Sequence, residues 1–183
     1  QVLPSAEELD ALRARVGSGH LALDVEAKTL RKDHPQTRVD LSAVAKGYAV
    51  DRVLATLRAN GHDDAMVEVG GEVRVSGQTE AERAWRLAIE KPMESERSIY
   101  EVLPLQDQAM ATSGDYRNFT IVDGRRYSHT IDPRSGRPVT HALASVTVVA
   151  EECARADALA TALNVLGPER GPALAASHDI AAL

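Results

Sequence analysis

Apolar residues recur along this chain with two periods, and the periods separate helices from strands. Residues 43–60 put Gly47, Val50, Leu54 and Leu57 at i, i+3, i+7 and i+10, one buried helical stripe with Gly61 as a C′ residue. Residues 152–166 put Ala156, Leu159, Ala160, Leu163 and Leu166 on one face, and Gly167-Pro168 closes this second helix. A helix over 5–15 is signalled by Ser5 and Glu8 in capping-box spacing and ended by Gly17 and Gly19. Elsewhere the period is two. Strands are predicted over 21–25, 65–69, 72–75, 85–89, within 99–105, and over 119–122, 125–131 and 144–150. Gly70-Gly71 and Asp123-Gly124 supply two-residue hairpin turns, while 77–84 and 91–98 are polar connectors. Strands arriving as hairpins predict an α+β fold: a mostly antiparallel sheet with the 43–60 and 152–166 helices packed on it.

At 183 residues the chain is expected to form a single domain over 1–183, and 44% hydrophobic content supports a true core. Aromatics are 3%, so that core must be built mostly from Ala, Val and Leu. The net charge of −6 argues against a nucleic-acid or anionic-membrane surface. A phosphate-bearing ligand would then need a local lysine, a metal ion or backbone N–H groups. Cys153 is the single cysteine, which excludes an intrachain disulfide. No run reaches membrane-spanning length and no signal-peptide pattern is found. The chain starts at Gln1 and ends on 177–183, which reads as an element cut short, so a trimmed piece of a longer protein is expected.

Polar chemistry is densest in 112–139, which is expected to form a ligand-facing loop and hairpin. Thr112, Ser113 and Gly114 offer two hydroxyls and bare backbone, the hairpin presents Ser128-His129, and 132–136 (DPRSG) is a turn. Each further candidate has a bland alternative. His129 is either a satisfied structural histidine or a catalyst, since an imidazole can serve as a general base. Gly70-Gly71 is either a plain turn or a place where a ligand comes close. Lys46, near the start of a helix, opposes the helix dipole unless an anion sits there. Asp157 and Thr161, at i and i+4, form either a polar rim or a carboxylate–hydroxyl pair suited to magnesium.

Four blocks in order match one family. The segment 40–51 (DLSAVAKGYAVD) resembles a "DLGGIAKGYAVD" block of the ApbE family, the FAD:protein FMN transferases. Val69-Gly70-Gly71-Glu72-Val73 is similar to its Gly-Gly hairpin, and 112–116 with 127–139 resemble its most distinctive block. The segment 156–163 (ADALATAL) resembles its "ADALATAL" helix, and the likeness runs from about residue 20 to 167. The resemblance implies an ApbE-like (T-fold-like) architecture and a bacterial periplasmic enzyme, an inner-membrane lipoprotein whose lipid anchor is absent from this chain. It implies Mg²⁺-dependent transfer of FMN from FAD to a Ser or Thr of a target flavoprotein, of redox-pump or respiratory-subunit type, with release of AMP. By position, the Ala43 carbonyl, Asp157 and Thr161 would hold the metal, and Lys46 would face the pyrophosphate. Gly70, Gly71, Glu72, Thr112, Ser113, Gly114 and Ile131 would contact FAD, and His129 would be the base acting on the acceptor hydroxyl. Relatives carry an N-terminal region with no counterpart before residue 20 here, and one Trp, one Phe and four Tyr leave few side chains to stack on an isoalloxazine. The alternatives are an FAD pyrophosphatase with water as acceptor, and a non-catalytic flavin-binding or assembly module.

Overall fold

The structure, a computed structural model, describes residues 4–93, 98–115 and 119–183. Its early elements are α1 (Ala6–Arg13), β1 (Leu21–Asp24), β2 (Thr29–Lys32) and α2 (Ala45–Ala59). The middle is all strand: β3 (Ala65–Val69), β4 (Glu72–Ser76), β5 (Trp85–Glu90), β6 (Ile99–Leu105), β7 (Ala109–Gly114), β8 (Phe119–Val122) and β9 (Arg125–Ser128). There follow β10 (Ile131–Asp132), β11 (Arg137–Pro138), β12 (Ser145–Ala150), α3 (Cys153–Ser177) and β13 (Ala181–Ala182). Within the single domain expected over 1–183, the chain divides into two compact units, Gln1–Asp40 with Thr120–Thr140, and Leu41–Phe119 with His141–Leu183.

In the first unit α1 starts at the expected capping box. Ser5 Oγ accepts from the Glu8 amide at 3.2 Å, and Glu8 Oε2 accepts from the Ser5 amide at 2.8 Å. The strand expected at 21–25 is β1, paired antiparallel with β2. β2 escapes a pattern search because all four of its residues are exposed, so no alternation marks it. Asp123 (φ 51°) and Gly124 (φ 73°) make the tight turn between β8 and β9. The strand expected over 125–131 is broken: β9 ends at Ser128, whose hydroxyl accepts from the Thr130 amide at 3.0 Å, and Ile131 begins a separate pairing with β11. This local side-chain bond replaces the ladder bond a continuous strand would need.

The second unit is built on an antiparallel sheet of five strands in the order β13-β12-β7-β4-β3. β4 shows how its two faces are used. Val73 and Val75 pack with Leu87, Ile89 and Leu105 of the β5–β6 hairpin. The alternate residues Glu72 and Arg74 point the other way and pair with Lys46 and Asp51 of α2. The predicted stripe of α2 is the buried one: Val50 and Leu54 join Val67, Ala109 and Cys153, with Leu57 partly buried. Ala156, Ala160 and Leu163 of α3 pack on Ala111, Val146 and Val148. Aliphatic residues thus make up most of these clusters, with Met110 and Cys153 buried among them and Trp85 packed at the edge of the first.

Two helix ends differ from expectation. α2 begins at Ala45, with 42–44 in a turn before it. Gly167 does leave the helix (φ 72°, ψ −175°), but a second helical segment follows at once and runs to Ser177. Pro168 is tolerated there because the first residue of a helix has no use for its N–H. The last residues form β13, which pairs with Val148 and Val149 at the sheet edge.

Candidate functional site

α2 and α3 meet through their first turns, and neither is capped by its own N-cap residue. Val44 and Glu152 make no side-chain cap bond. Each helix instead uses a carboxylate of the other. The Gly47 amide, third in α2, donates to Asp157 Oδ2 at 3.0 Å. The Cys153 and Ala154 amides, the first two of α3, donate to Asp51 Oδ1 and Oδ2, both at 2.9 Å. These are the amides that a helix leaves without internal partners. Asp51 Oδ1 also accepts from Arg74 Nη1 of β4 at 2.6 Å. Gly47 makes the crossing possible, since a Cβ there would run into the Cys153 carbonyl and lie 2.8 Å from Ala154 Cα.

Above this crossing stands Lys46, exposed, with its Nζ 2.5 Å from Glu72 Oε1. The anion anticipated near the start of α2 is therefore, here, a carboxylate of β4. Glu72 is only 2% exposed and its Oε2 has no hydrogen-bond partner among the described residues, so it sits behind Lys46 and not at the surface. Burial pushes the Glu72 carboxyl above its ordinary value; the Lys46 bond and charge oppose that, and the charge of Asp157 adds to it. Gly70 (φ 62°) and Gly71 (φ 101°) form the expected turn of the β3–β4 hairpin, in conformations that favour glycine. A Cβ on Gly70 would also press on Lys46 Cδ at 3.3 Å. The turn and the close approach are thus both present, but the group that approaches is the stem of Lys46.

Thr112, Ser113 and Gly114 are not the loop expected of them: they end β7, opposite Thr147, Val146 and Ser145 of β12. The hydroxyls of Thr112 and Thr147 bond across the strands at 2.8 Å. Ser113 Oγ receives Asn164 Nδ2 at 3.5 Å from the buried face of α3. Tyr116 of the same block lies outside the described residues. His129 and Ile131 belong to the first unit. His129 is exposed just after β9, and Ile131 lines a shallow apolar cavity of about 350 Å³ with Leu9, Leu12 and Pro133.

Among the described residues, no three of His, Cys, Asp and Glu converge as a metal cluster. A cation here would need backbone, hydroxyl, water or substrate oxygens besides Asp157. The proposed donors are of that kind, hard oxygens suited to Mg²⁺. Ala43 lies in the exposed turn before α2. Gly47, four residues on, gives its amide to Asp157 and so leaves the Ala43 carbonyl outside the helical ladder. Asp157 is 5% exposed; with Oδ2 held by Gly47, Oδ1 is the oxygen a cation would take. Thr161 follows one turn along α3, half-buried. The donor chemistry fits a magnesium ion.

Sequence reasoning assigned no role to Asp51, Arg74 or Asn164. Asp51 closes the 40–51 block, and an acid at the end of such a segment was the available signal. Nothing local marks Arg74 or Asn164.

The ApbE family model matches residues 1–183. The chain belongs to the ApbE family. It is 49% identical over 182 residues to the FAD:protein FMN transferase of Vibrio cholerae, covering 100% of this chain and 54% of that protein. It is 41% identical over 170 residues to the Escherichia coli K12 protein of the same name, covering 92% and 48%. Among solved structures it matches the flavin transferase ApbE from Vibrio cholerae with a TM-score of 0.87 at 48% identity, over all of this chain and 57% of that one. An ApbE protein from Thermotoga maritima matches with a TM-score of 0.87 at 31% identity, over 100% and 59%. The α+β, largely antiparallel architecture is thus that of ApbE structures, and the chain spans about half the length of the curated relatives it matches.

Proposed function

We propose that the protein to which this ApbE chain belongs is a Mg²⁺-dependent FAD:protein FMN transferase, joining FMN through a phosphoester to a Ser or Thr of a target flavoprotein and releasing AMP. The observation that carries the reading is the seating of Asp157: a buried carboxylate fixed by the Gly47 amide, one turn from the Thr161 hydroxyl, beside the turn that holds Ala43. The names of the relatives supply the substrate class.

A magnesium ion held by Ala43, Asp157 and Thr161 would supply charge withdrawal at a dinucleotide's phosphates. The chain's own residues do the remaining work. Lys46 carries an ammonium at the exposed end of α2, held by Glu72 at its side, where it can meet a phosphate oxygen. Binding and orientation by such fixed groups account for most phosphoryl-transfer catalysis. His129 is proposed as the base that takes the acceptor hydroxyl's proton. Gly70, Gly71, Thr112, Ser113, Gly114 and Ile131 are proposed as FAD contacts, and Glu72 as the support of Lys46. A periplasmic lipoprotein acting on a membrane redox complex remains the setting that the family resemblance suggests. No helix among the described residues is long and apolar enough to cross a membrane.

The test is a titration of full-length protein with FAD, with and without Mg²⁺, followed by mass analysis of a Ser/Thr acceptor. A flavin adduct that requires Mg²⁺ is expected. AMP and FMN released without any acceptor would replace transfer by hydrolysis, and tight FAD binding without turnover would replace both by a binding role.

A further inference from the structure

The crossed caps of α2 and α3 assign Asp51 a task beyond helix capping. Gly47 and Asp51 stand four residues apart on α2, as Cys153 and Asp157 do on α3. Each helix therefore gives amides from its first turn and receives a carboxylate from the next turn of its partner. Gly47 leaves no side chain between the two backbones, so the register of one helix is passed directly to the other. Arg74 ties the same Asp51 oxygen to β4, in the middle region of the sheet.

We propose that Asp51 is the positioning residue for Asp157: it fixes the first turn of α3 and thereby the direction in which Asp157 Oδ1, the oxygen not held by Gly47, faces a divalent cation. The proposal rests on the reading of Asp157 as a cation ligand. Ligand oxygens must be held to within roughly half an ångström of their working geometry, and the groups that hold them are outer-shell partners. Without the Asp51 carboxylate, two amides of α3 and the Arg74 guanidinium lose their acceptor together, one turn from Asp157. Asparagine keeps one acceptor oxygen and so retains part of the anchorage. Alanine keeps none.

The experiment uses full-length protein and Mn²⁺ alone as probe, with the free ion followed by electron paramagnetic resonance. Four variants are compared with the parent: Asp157→Ala, Asp51→Asn, Asp51→Ala, and Leu57→Ala as a control. Leu57 is partly buried on the same helix and takes no part in the caps. Asp157→Ala should abolish tight binding. Asp51→Asn and Asp51→Ala should weaken it in that order, within the range of roughly 10- to 100-fold typical of outer-shell losses. Leu57→Ala should lower stability and leave Mn²⁺ affinity unchanged. Unaltered affinity in both Asp51 variants, with Asp157→Ala inactive in binding, would overturn the positioning role alone. Equal weakening in Leu57→Ala would reduce it to general loosening. Tight Mn²⁺ binding that survives Asp157→Ala, or no binding by the parent, would instead remove the cation reading itself.

Discussion

Gly47 lies against the carbonyl of Cys153 with no space for a Cβ between them. Two effects of Gly47→Ala therefore compete. Helix propensity alone would stabilise α2 by about 1 kcal/mol. Forcing a methyl into close-packed backbone costs about 1–3 kcal/mol, and more where the neighbour is backbone that cannot rotate away. The second effect should win, lowering the urea midpoint of the Ala variant. A raised midpoint would mean that the helices do not approach as described.

Glu72 gives a pH signature. Burial raises its carboxyl above the ordinary 4.5, so the folded chain keeps a proton that the unfolded chain has already released. Stability then falls as pH climbs from about 4.5 through the folded pKa, and the loss is complete above it. Glu72→Gln has no such loss. Melting temperatures of both proteins should show the Gln variant gaining on the parent as pH rises from about 4.5 toward neutrality. The lost Lys46 pair offsets little, since that lysine side chain is 47% exposed. A difference that does not change with pH would contradict the assigned burial.

The Cys153 thiol is fully buried, and its pKa is pushed up to about 12, first by burial and then by the charges of Asp51, Glu72 and Asp157. Near pH 8 almost all of it is therefore thiol and not thiolate, the form that reacts. Ellman's reagent should leave the native chain unlabelled and modify it fully in urea. Rapid native labelling would show that the α2–α3 crossing opens.

What could be read in advance was what is local. The capping box at Ser5 and Glu8, the Gly70-Gly71 and Asp123-Gly124 turns, and the stripe through Val50 and Leu54 each depend on neighbours within a few residues. β2 is hidden because no residue of it is buried, and Thr112–Gly114 reads as loop because glycine is disfavoured in strands and no apolar alternation marks the segment. The candidate site is legible only as separate residues. Lys46, Glu72 and Asp157 each stand out within their own blocks, but the residues they are bonded with or packed beside lie far along the chain: Gly47 bonds Asp157 across 110 residues, and Asp51 bonds Cys153 across 102. No periodicity reports such a pairing. It comes into view only when two helices are brought together on a sheet.

The most direct measurement is mass analysis of a Ser/Thr acceptor after incubation with FAD, Mg²⁺ and either full-length parent or its Asp157→Ala variant. The parent should add a flavin to the acceptor, and the variant should lose that activity by about 100-fold or more, as expected when a metal ligand is removed. Labelling by the variant at the parent's rate would contradict a cation seated on Asp157.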